Sequence, residues 1–241
     1  MRLDLFLYQN EYVSSRSRAA NLIELGRVTV NGRVEVKSSY QVKTDDIVKI
    51  NEDYGASLGE FKLDFALKFF DVSPKDKICL DVGASNGGFT DILLKNDAKT
   101  VYAQDIGECA LPDRLKQDNR VVIKDRFNAR DLNQNSFEIR PQLAVIDVSF
   151  ISLTLVLQPV CSCLADDGEI IALIKPQFEC SKSDLSKKGI ILNERKQASA
   201  VDKIVEYCKS INVSPMATTK APHPFKEKNQ EYLIYIRKSI E

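Results

Sequence analysis

The sequence has no tryptophan, a single histidine (His223) and no cysteine pair in a CxxC arrangement. Zinc sites draw mainly on histidine and paired cysteines, so this composition argues against a structural metal, and the scattered cysteines argue against a disulfide scaffold. The apolar runs are much shorter than the roughly 20 residues that a membrane-spanning helix needs. The N-terminus opens in an amphipathic pattern without a signal-peptide core. We therefore expect a reduced, soluble, cytoplasmic protein without a metal and without stable membrane insertion.

Neither sign of charge prevails, because 34 basic and 34 acidic side chains balance to a net charge of zero. Any binding of nucleic acid must therefore rest on local basic patches. The length of 241 residues fits one large domain and a small one. The predicted boundaries are a compact unit at 1–50, a polar linker at 51–59 and a larger domain at 60–241.

One stretch, Leu80 to Thr90, has the pattern of a strand end, a tight glycine turn and a helix start. This order is typical of a nucleotide site at the carboxyl edge of a parallel sheet. Gly87 and Gly88 let the backbone approach a ligand because neither residue has a Cβ. The spacing between Gly83 and Gly87 looks like that of the loop that binds S-adenosylmethionine (SAM) in methyltransferases. The predicted cofactor residues here are Asp81, Gly83, Ala84, Ser85, Asn86, Gly87, Gly88, Phe89 and Thr90.

Strands and helices alternate after this loop, which predicts an α/β fold with a parallel, doubly wound, Rossmann-like sheet. Two final strands would add an antiparallel edge, as in SAM-dependent methyltransferases. The predicted strands are 78–82, 101–105, 121–123, 143–147, 170–174, 215–220 and 231–237. The predicted helices are 61–70, 89–95, 110–117, 152–164 and 193–210.

Three further residues are candidates for cofactor contacts. Asp105 follows the glycine loop by about twenty residues, where an acidic side chain would bind a ribose hydroxyl or else cap the next segment. Asp125 or Asn128, after the following strand, is a candidate to face the adenine.

The first fifty residues contain two helical patterns and a hairpin signal. Ser15 is the predicted N-cap of a helix that runs to Leu25, and Gly26 fits its C-terminal position. Asn31-Gly32 between alternating residues is a strong hairpin signal. The stretch from Ser15 to Gly32 resembles the S4-type RNA-binding domain, an α+β unit. The resemblance implies an RNA-facing surface formed by Arg16, Arg18, Arg27, Arg33 and Lys37.

Phosphate contacts by such side chains would supply affinity without reading base sequence. The alternative is an ordinary solvated helix face, since Glu11, Glu24 and Glu35 dilute the positive charge.

Four charged residues interrupt sequence patterns that are otherwise apolar. A charge at such a position needs a structural or functional reason. Asp147 and Lys175 each end an apolar strand, Glu231 opens the last strand, and Lys62 lies on the helix before the glycine loop. Because the carboxyl ends of parallel strands face the ligand crevice, Asp147 and Lys175 should point into it. Each residue alone is compatible with a peripheral ion pair, whereas the four together favour an active site.

These four residues are similar to the Lys-Asp-Lys-Glu tetrad of ribose 2′-O-methyltransferases related to FtsJ. With the S4-type unit, four stretches resemble the TlyA family, often labelled haemolysin, over nearly the full length. They are Asp81 to Thr90, Asp147 to Leu153, Lys175 to Glu179 and Asn229 to Tyr232. The resemblance implies a SAM-dependent rRNA (cytidine-2′-O)-methyltransferase with Lys62, Asp147, Lys175 and Glu231 as its catalytic tetrad. The short form of this family, which this chain matches, implies 23S rRNA as the partner.

Two stretches depart from the family pattern. Ser57-Leu58-Gly59-Glu60 lacks the usual arginine ahead of the first tetrad lysine, and Cys180 to Gly189 replaces a glycine-rich lid. The first departure bears on an RNA contact at the linker, and the second on the path of the lid.

The residue chemistry suits methyl transfer to a ribose hydroxyl, which must lose its proton as it attacks. Our hypothesis is that Lys175 accepts that proton. A free lysine is protonated at neutral pH, so desolvation and the neighbouring Lys62 would have to favour the neutral amine. Asp147 and Glu231 would hold the two lysines in place.

Four other functions are weighed against this one. The sequence Asp147-Val148-Ser149-Phe150 lacks the prolines of base N-methyltransferases. A cytosine C5 enzyme needs a cysteine nucleophile, but Cys161 and Cys163 have a core-like pattern. An RNA-binding or ribosome-assembly protein with a degenerate methyltransferase fold would not need the intact glycine loop. A membrane-active haemolysin would need a spanning segment or a strongly basic amphipathic helix. His223, between two prolines, is interpreted as an exposed loop residue, the alternative being a residue that approaches the RNA.

Overall fold

The computed structural model describes residues 1–13, 16–24, 26–50, 58–222 and 229–238, without the side chains of Ser17, Arg18 and Leu58. The described residues divide into a smaller unit that ends at Phe61 and a larger unit that begins at Lys62. The predictions for Ser15, Leu25, His223 and most of the linker concern residues outside the described ranges. The domain boundaries drawn from the sequence stay a prediction.

The smaller unit packs two helices against a three-stranded antiparallel sheet with the order β2-β1-β3. The turn between β1 and β2 has Asn31 and Gly32 at φ of 53° and 76°. Both values lie in the left-handed region, which is the backbone of a two-residue hairpin turn and confirms that prediction. Its elements are α1 (Leu3–Gln9), α2 (Arg16–Glu24), β1 (Val28–Val30), β2 (Arg33–Val34) and β3 (Val48–Ile50).

A seven-stranded sheet with the order β6-β5-β4-β7-β8-β10-β9 forms the larger unit. The first five strands in this order are parallel, and β10 runs antiparallel to both of its neighbours. The Rossmann-like fold with an antiparallel last strand is thereby confirmed. The strands are β4 (Ile78–Val82), β5 (Thr100–Gln104), β6 (Val121–Lys124), β7 (Leu143–Ile146), β8 (Glu169–Ile174), β9 (Val213–Lys220) and β10 (Tyr232–Lys238).

Helices cover both faces of this sheet. They are α3 (Leu58–Phe70), α4 (Gly88–Lys95), α5 (Asp113–Lys116), α6 (Leu157–Cys163), α7 (Pro176–Glu179) and α8 (Glu194–Ser210). Short 3-10 turns lie at Ala129–Asp131, Leu153–Leu155 and Lys182–Asp184. None of the helices in the described ranges has the length and apolar character to cross a membrane.

Alternate residues of each strand enter opposite layers of the core. Leu143 and Val145 pack in the layer that contains α3 and α4, whereas Ala144 and Ile146 pack with α6 and α8. Because strand side chains alternate with a period of two, Asp147 continues the α3/α4 side. The charged side chain of Asp147 therefore lies on the α3/α4 side of the sheet, at the carboxyl end of β7.

Three predicted helices differ from those observed. The helix predicted at 152–164 is a 3-10 turn followed by α6, with Pro159 in the first turn of α6, where a missing N–H costs least. The helix predicted at 110–117 shortens to α5, because the residue before Pro112 disfavours helical backbone. Helix α3 begins earlier than predicted and ends at Phe70, ahead of Pro74, since Asp71 turns left-handed at φ of 55°.

Candidate active site

The glycine loop joins β4 to α4 as predicted, but its glycines are needed for protein contacts as well. A Cβ on Gly83 (φ 87°) would lie 2.6 Å from the carbonyl oxygen of Asp147. A Cβ on Gly87 (φ 82°) would lie 2.6 Å from Leu111 and 2.7 Å from Leu115. The space beside Gly87 is therefore filled by leucines, whereas Gly83 lets the loop pack against the end of β7.

Asp81 lies fully buried beneath this loop. Its Oδ2 accepts a hydrogen bond from Thr90 Oγ1 at 2.6 Å, and its Oδ1 has no hydrogen-bond partner among the described residues. Burial raises the pKa of Asp81 to about 7, opposed by the Thr90 hydrogen bond and reinforced by the charge of Asp147. A buried, partly unsatisfied carboxyl group fits a site that receives a positively charged ligand.

The three downstream candidates have different surroundings. Asp105 accepts hydrogen bonds from the backbone N–H of Ser85 and of Gly107, each at 2.9 Å, so it braces the glycine loop. Asp125 accepts one from the Cys109 N–H at 2.6 Å, and its hydrogen bonds with Cys109 lower its pKa. Asn128 caps the 3-10 turn at 129–131.

A cavity of about 790 Å³ opens beside the loop. Its volume lies in the range typical of cofactor sites, about 300–1,000 Å³. Among the residues that line it are Gly83, Ser85, Asp105, Asn128, Asp147 and Ser149. Ala84, Phe89 and Thr90 are buried within the protein and support the loop from below.

Lys175 and Asp147 form an ion pair at the carboxyl edge, with Nζ to Oδ1 at 2.6 Å. The Lys175 residue is only 8% exposed, and its Nζ also donates a hydrogen bond to Ser149 Oγ at 2.8 Å. Lys175 and Asp147 are thus in contact. Ser149, which the sequence analysis did not identify as a site residue, also contacts Lys175.

Lys62 and Glu231 form a second ion pair, at 2.5 Å, with side chains 16% and 18% exposed. Strand β10 pairs with β8 so that Tyr232 faces Ile174. The next pair of facing positions in this register is Glu231 and Lys175. The backbone of Lys175 is still extended, at φ −110° and ψ 98°. Facing residues of antiparallel strands have Cβ atoms roughly 5 Å apart, so the two ion pairs are neighbours.

A buried carboxylate fixes the segment after Lys175. The Glu179 side chain is 1% exposed and pairs with Lys203 at 2.9 Å. It also accepts hydrogen bonds from Ser152 Oγ at 2.6 Å and the Leu153 N–H at 2.8 Å. Glu179 therefore ties α7, which follows Lys175, to the segment that follows Asp147.

An exposed aromatic side chain borders the cavity. Phe150 is 91% exposed and has a left-handed backbone at φ of 65°. Its ring lies 5.3 Å from that of Phe178, measured between centroids. An exposed ring held by a strained backbone next to charged residues is a feature of binding sites. The sequence analysis named Phe150 only as part of the stretch Asp147 to Leu153 and gave it no role.

The cysteines of α6 lie in the core, as their pattern predicted. Cys161 and Cys163 are buried, and desolvation raises the pKa of each thiol to about 12. A thiol that resists ionisation is a poor nucleophile, which argues against cytosine C5 chemistry.

On the smaller unit, a buried carboxylate organises two arginines. Asp4 accepts hydrogen bonds from Arg2 Nε at 3.0 Å and from Arg16 Nε at 2.9 Å. Burial raises the pKa of Asp4, but the two arginines outweigh it and the net shift is downward. Arg2 was absent from the predicted RNA surface. Arg33 and Lys37 are exposed, Arg27 is half-buried, and the side chain of Arg18 lies outside the described residues.

Comparisons with known proteins agree with this architecture. Residues 57–238 match the FtsJ-like methyltransferase family, and residues 1–48 match the S4 domain. Hemolysin A of Brachyspira hyodysenteriae is 41% identical over 98% of this chain and 99% of its own length. The 16S/23S rRNA (cytidine-2′-O)-methyltransferase TlyA of Mycobacterium tuberculosis is 34% identical over 98% and 89%. The 23S rRNA (cytidine-2′-O)-methyltransferase TlyA of Campylobacter jejuni is 31% identical over 99% and 100%.

The chain belongs to the TlyA family. TlyA family membership confirms the S4 unit, the methyltransferase class and the earlier resemblance. The family implies SAM as methyl donor. The unsatisfied Asp81 carboxyl group, the glycine loop and the cavity beside it fit that cofactor.

Proposed function

We propose that the protein is a SAM-dependent ribose 2′-O-methyltransferase that modifies a cytidine of 23S rRNA. The observation that carries this proposal is the pair of neighbouring lysine–carboxylate contacts at the carboxyl edge, Lys175–Asp147 and Lys62–Glu231. A base methyltransferase has no need of two lysines, whereas a ribose hydroxyl needs a group that accepts its proton. The rRNA activities of the M. tuberculosis and C. jejuni relatives support the same substrate class.

Bound SAM would supply an electrophilic methyl group on a positively charged sulfur, which accepts the electron pair of the broken carbon–sulfur bond. The glycine loop, Asp81, Asp105 and Asn128 would hold this cofactor. Lys175 would accept the hydroxyl proton, and Lys62 would orient the ribose. Asp147 and Glu231 would fix the lysines. Positioning of the reacting groups supplies much of the acceleration in such reactions, about 7–11 kcal/mol in favourable systems.

The smaller unit would deliver the RNA. Arg16, Arg27, Arg33 and Lys37 belong to this unit, and Arg2 shares the carboxylate of Asp4 with Arg16. Phosphate contacts by these side chains would add affinity for rRNA without choosing the nucleotide.

Methylation of purified rRNA tests the proposal, with nucleoside mass spectrometry as the readout. We expect 2′-O-methylcytidine in 23S rRNA. Lys175→Ala should lower the rate at least 100-fold, because general bases typically contribute about 10²–10⁴-fold. The matched control is Lys99→Ala, an exposed lysine before β5, at the opposite edge.

Three results would contradict the proposal: methylation of a base, absence of methylation, or near-normal activity of folded Lys175→Ala. Titration calorimetry with SAM separates the alternatives, since a non-catalytic RNA-binding protein with a degenerate fold would not bind the cofactor.

A further inference from the structure

The connection between α7 and α8, residues 180–193, carries two adjacent exposed lysines, Lys187 and Lys188. The only acidic side chain in this connection is Asp184, and it already forms an ion pair with Lys196 at 3.1 Å. Neither Lys187 nor Lys188 forms an ion pair with any described residue. Two neighbouring positive charges therefore remain without a local counter-charge, in a protein whose net charge is zero.

A closed turn holds these two lysines side by side. The N–H of Gly189 donates to the carbonyl oxygen of Ser186 at 2.9 Å, so the lysines occupy the two central positions of a four-residue turn. The N–H of Ser186 donates to the carbonyl oxygen of Ile190 at 2.9 Å, and the N–H of Ile190 donates to Ser186 Oγ at 3.1 Å. Residues 186–190, which form the lysine turn, thus have a backbone fixed by their own hydrogen bonds.

Contacts with two other segments fix the place of the lysine turn in the larger unit. Asn229 Nδ2 donates to the carbonyl oxygen of Gly189 at 2.9 Å, and Asn229 Oδ1 accepts from the N–H of Ile191 at 2.8 Å. Gln197 Nε2, on α8, donates to the carbonyl oxygen of Ile191 at 2.8 Å. Asn229 lies two residues before Glu231, so the lysine turn is tied to the segment that carries this proposed catalytic residue.

An RNA strand at the proposed site brings phosphate groups close to the same segment. The acceptor ribose has to lie against Lys175, which is the next position facing Glu231 when the register of β8 and β10 is continued. A ribose within a polynucleotide has a negatively charged phosphate on each side. The strand therefore continues from Lys175 past neighbouring parts of the larger unit. The lysine turn, joined to the Glu231 segment through Asn229, is a part with exposed positive charge.

We propose that Lys187 and Lys188 bind phosphate groups of the rRNA strand that enters the active site. The inference rests on the proposed function and adds to it a second RNA contact, on the larger unit, besides the surface predicted on the smaller one. Lysine binds phosphate as a point charge, so this contact supplies affinity without reading the base. The fixed backbone of the lysine turn favours binding, because little main-chain freedom is lost when the RNA arrives.

Binding of purified 23S rRNA to the full chain at several salt concentrations tests this contact. The Lys187→Gln, Lys188→Gln variant should show a logarithmic salt slope that is smaller by roughly one to two, because each phosphate contact contributes about 0.7–0.9. The same slope implies an affinity lower by roughly 5- to 60-fold at about 0.1 M salt, with the two proteins converging near 1 M. SAM affinity and kcat at saturating rRNA should stay within about twofold of the wild type, because only a binding contact is removed.

Two control variants separate the charge of these side chains from their shape and position. The Lys187→Arg, Lys188→Arg variant keeps both charges and should bind rRNA within about threefold of the wild type, with the wild-type slope. The Lys75→Gln, Lys99→Gln variant removes two exposed lysines elsewhere in the larger unit and should also keep the wild-type slope.

A wild-type slope in the Lys187→Gln, Lys188→Gln variant would overturn the inference. So would a fall in slope that is equally large in the Lys75→Gln, Lys99→Gln variant, or one that the arginine variant shares. The proposed function fails on a different result, the absence of a methylated ribose in rRNA incubated with wild-type protein and SAM. The two failures are therefore distinguishable.

Discussion

On the proposed function, Asp81 is the residue expected to couple SAM binding to pH. Its pKa of about 7, raised chiefly by burial, means that the folded state holds a proton that the unfolded chain releases near pH 4. The stabilisation from this proton is fully present below about pH 4 and is lost as the pH rises through about 7. A cationic ligand would favour the carboxylate, so we expect SAM affinity to increase with pH up to about 7 and then level off.

The Asp81→Asn variant isolates this effect, because it keeps the shape of the side chain and removes its titration. In urea titrations, the difference in free energy of unfolding between this variant and the wild type should shift in favour of the variant as the pH rises from 5 to 8. Calorimetric titration with SAM at pH 6 and pH 8 should show a smaller pH dependence than in the wild type. Equal pH dependence in both proteins would contradict the assignment.

Phe150 is expected to lower the stability of the fold and to contribute to RNA binding. A left-handed backbone costs a residue with a Cβ about 1 kcal/mol, and this exposed ring recovers little of that through burial. We expect Phe150→Gly to keep or increase the free energy of unfolding while lowering methylation at least tenfold, since aromatic rings commonly stack on unpaired RNA bases.

Asp76→Gly provides the control for the backbone effect, because Asp76 has a similar φ of 61° and an exposed side chain. It should give a similar gain in stability with normal activity. Methylation by Phe150→Gly at the wild-type rate would remove Phe150 from the site.

The contact between the glycine loop and β7 governs the site at the scale of whole elements. Gly83 lets β4 and β7 end side by side, because a Cβ at this position would lie only 2.6 Å from the Asp147 carbonyl oxygen. Gly83→Ala should cost about 1–3 kcal/mol of stability through backbone strain and overpacking. It should also abolish the proposed activity, because the same displacement moves the glycine loop and Asp147.

Gly189→Ala is the matched control within the same unit. Gly189 has a φ of 73°, and a Cβ added there would meet no described atom within 4 Å, so this variant carries the backbone penalty without the clash. Chemical denaturation should give a clearly smaller loss for Gly189→Ala. Equal losses at both glycines would show that packing against Asp147 contributes nothing.

Element types were predictable from periodicity, whereas several boundaries depended on contacts that the sequence does not display. The buried strand β4 and the glycine turn are recognisable from apolar runs and spacing. The break before α6 is not, because Ser152 and Leu153 are engaged by Glu179, more than twenty positions away. Ser149 was missed for the same reason, because its hydrogen bond comes from Lys175, which follows β8.

At the scale of the whole molecule, affinity for RNA and binding of the cofactor should be separable. The Arg2→Gln, Arg16→Gln double variant removes two positive charges that Asp4 holds in place. We expect weaker rRNA binding and a salt dependence whose logarithmic slope falls by roughly one to two, since each phosphate contact contributes about 0.7–0.9. SAM affinity should stay unchanged.

Filter binding across a series of salt concentrations measures this slope, and a Lys99→Gln, Lys75→Gln variant matches the charge change with two exposed lysines of the larger unit. An unaltered slope in the arginine variant would exclude Arg2 and Arg16 from the RNA surface.

Much of the global organisation follows from the sequence, because each unit carries its own pattern of apolar residues and turns. The pairing of Lys62 with Glu231 does not, since 169 positions separate them along the chain and they meet only once α3 packs on the folded sheet. Sequence could name these residues as candidates. Their partners required the fold.

Strand β10 lies between β8 and β9 in the sheet but follows both along the chain. Its synthesis therefore determines when the nascent protein can become active. Lys62, Asp147 and Lys175 leave the ribosome well before Glu231, and β8 lacks its second neighbour until β10 arrives. Sheet pairings over long sequence separations form late in folding. If Glu231 acts as proposed, a nascent chain is catalytically silent until β10 inserts.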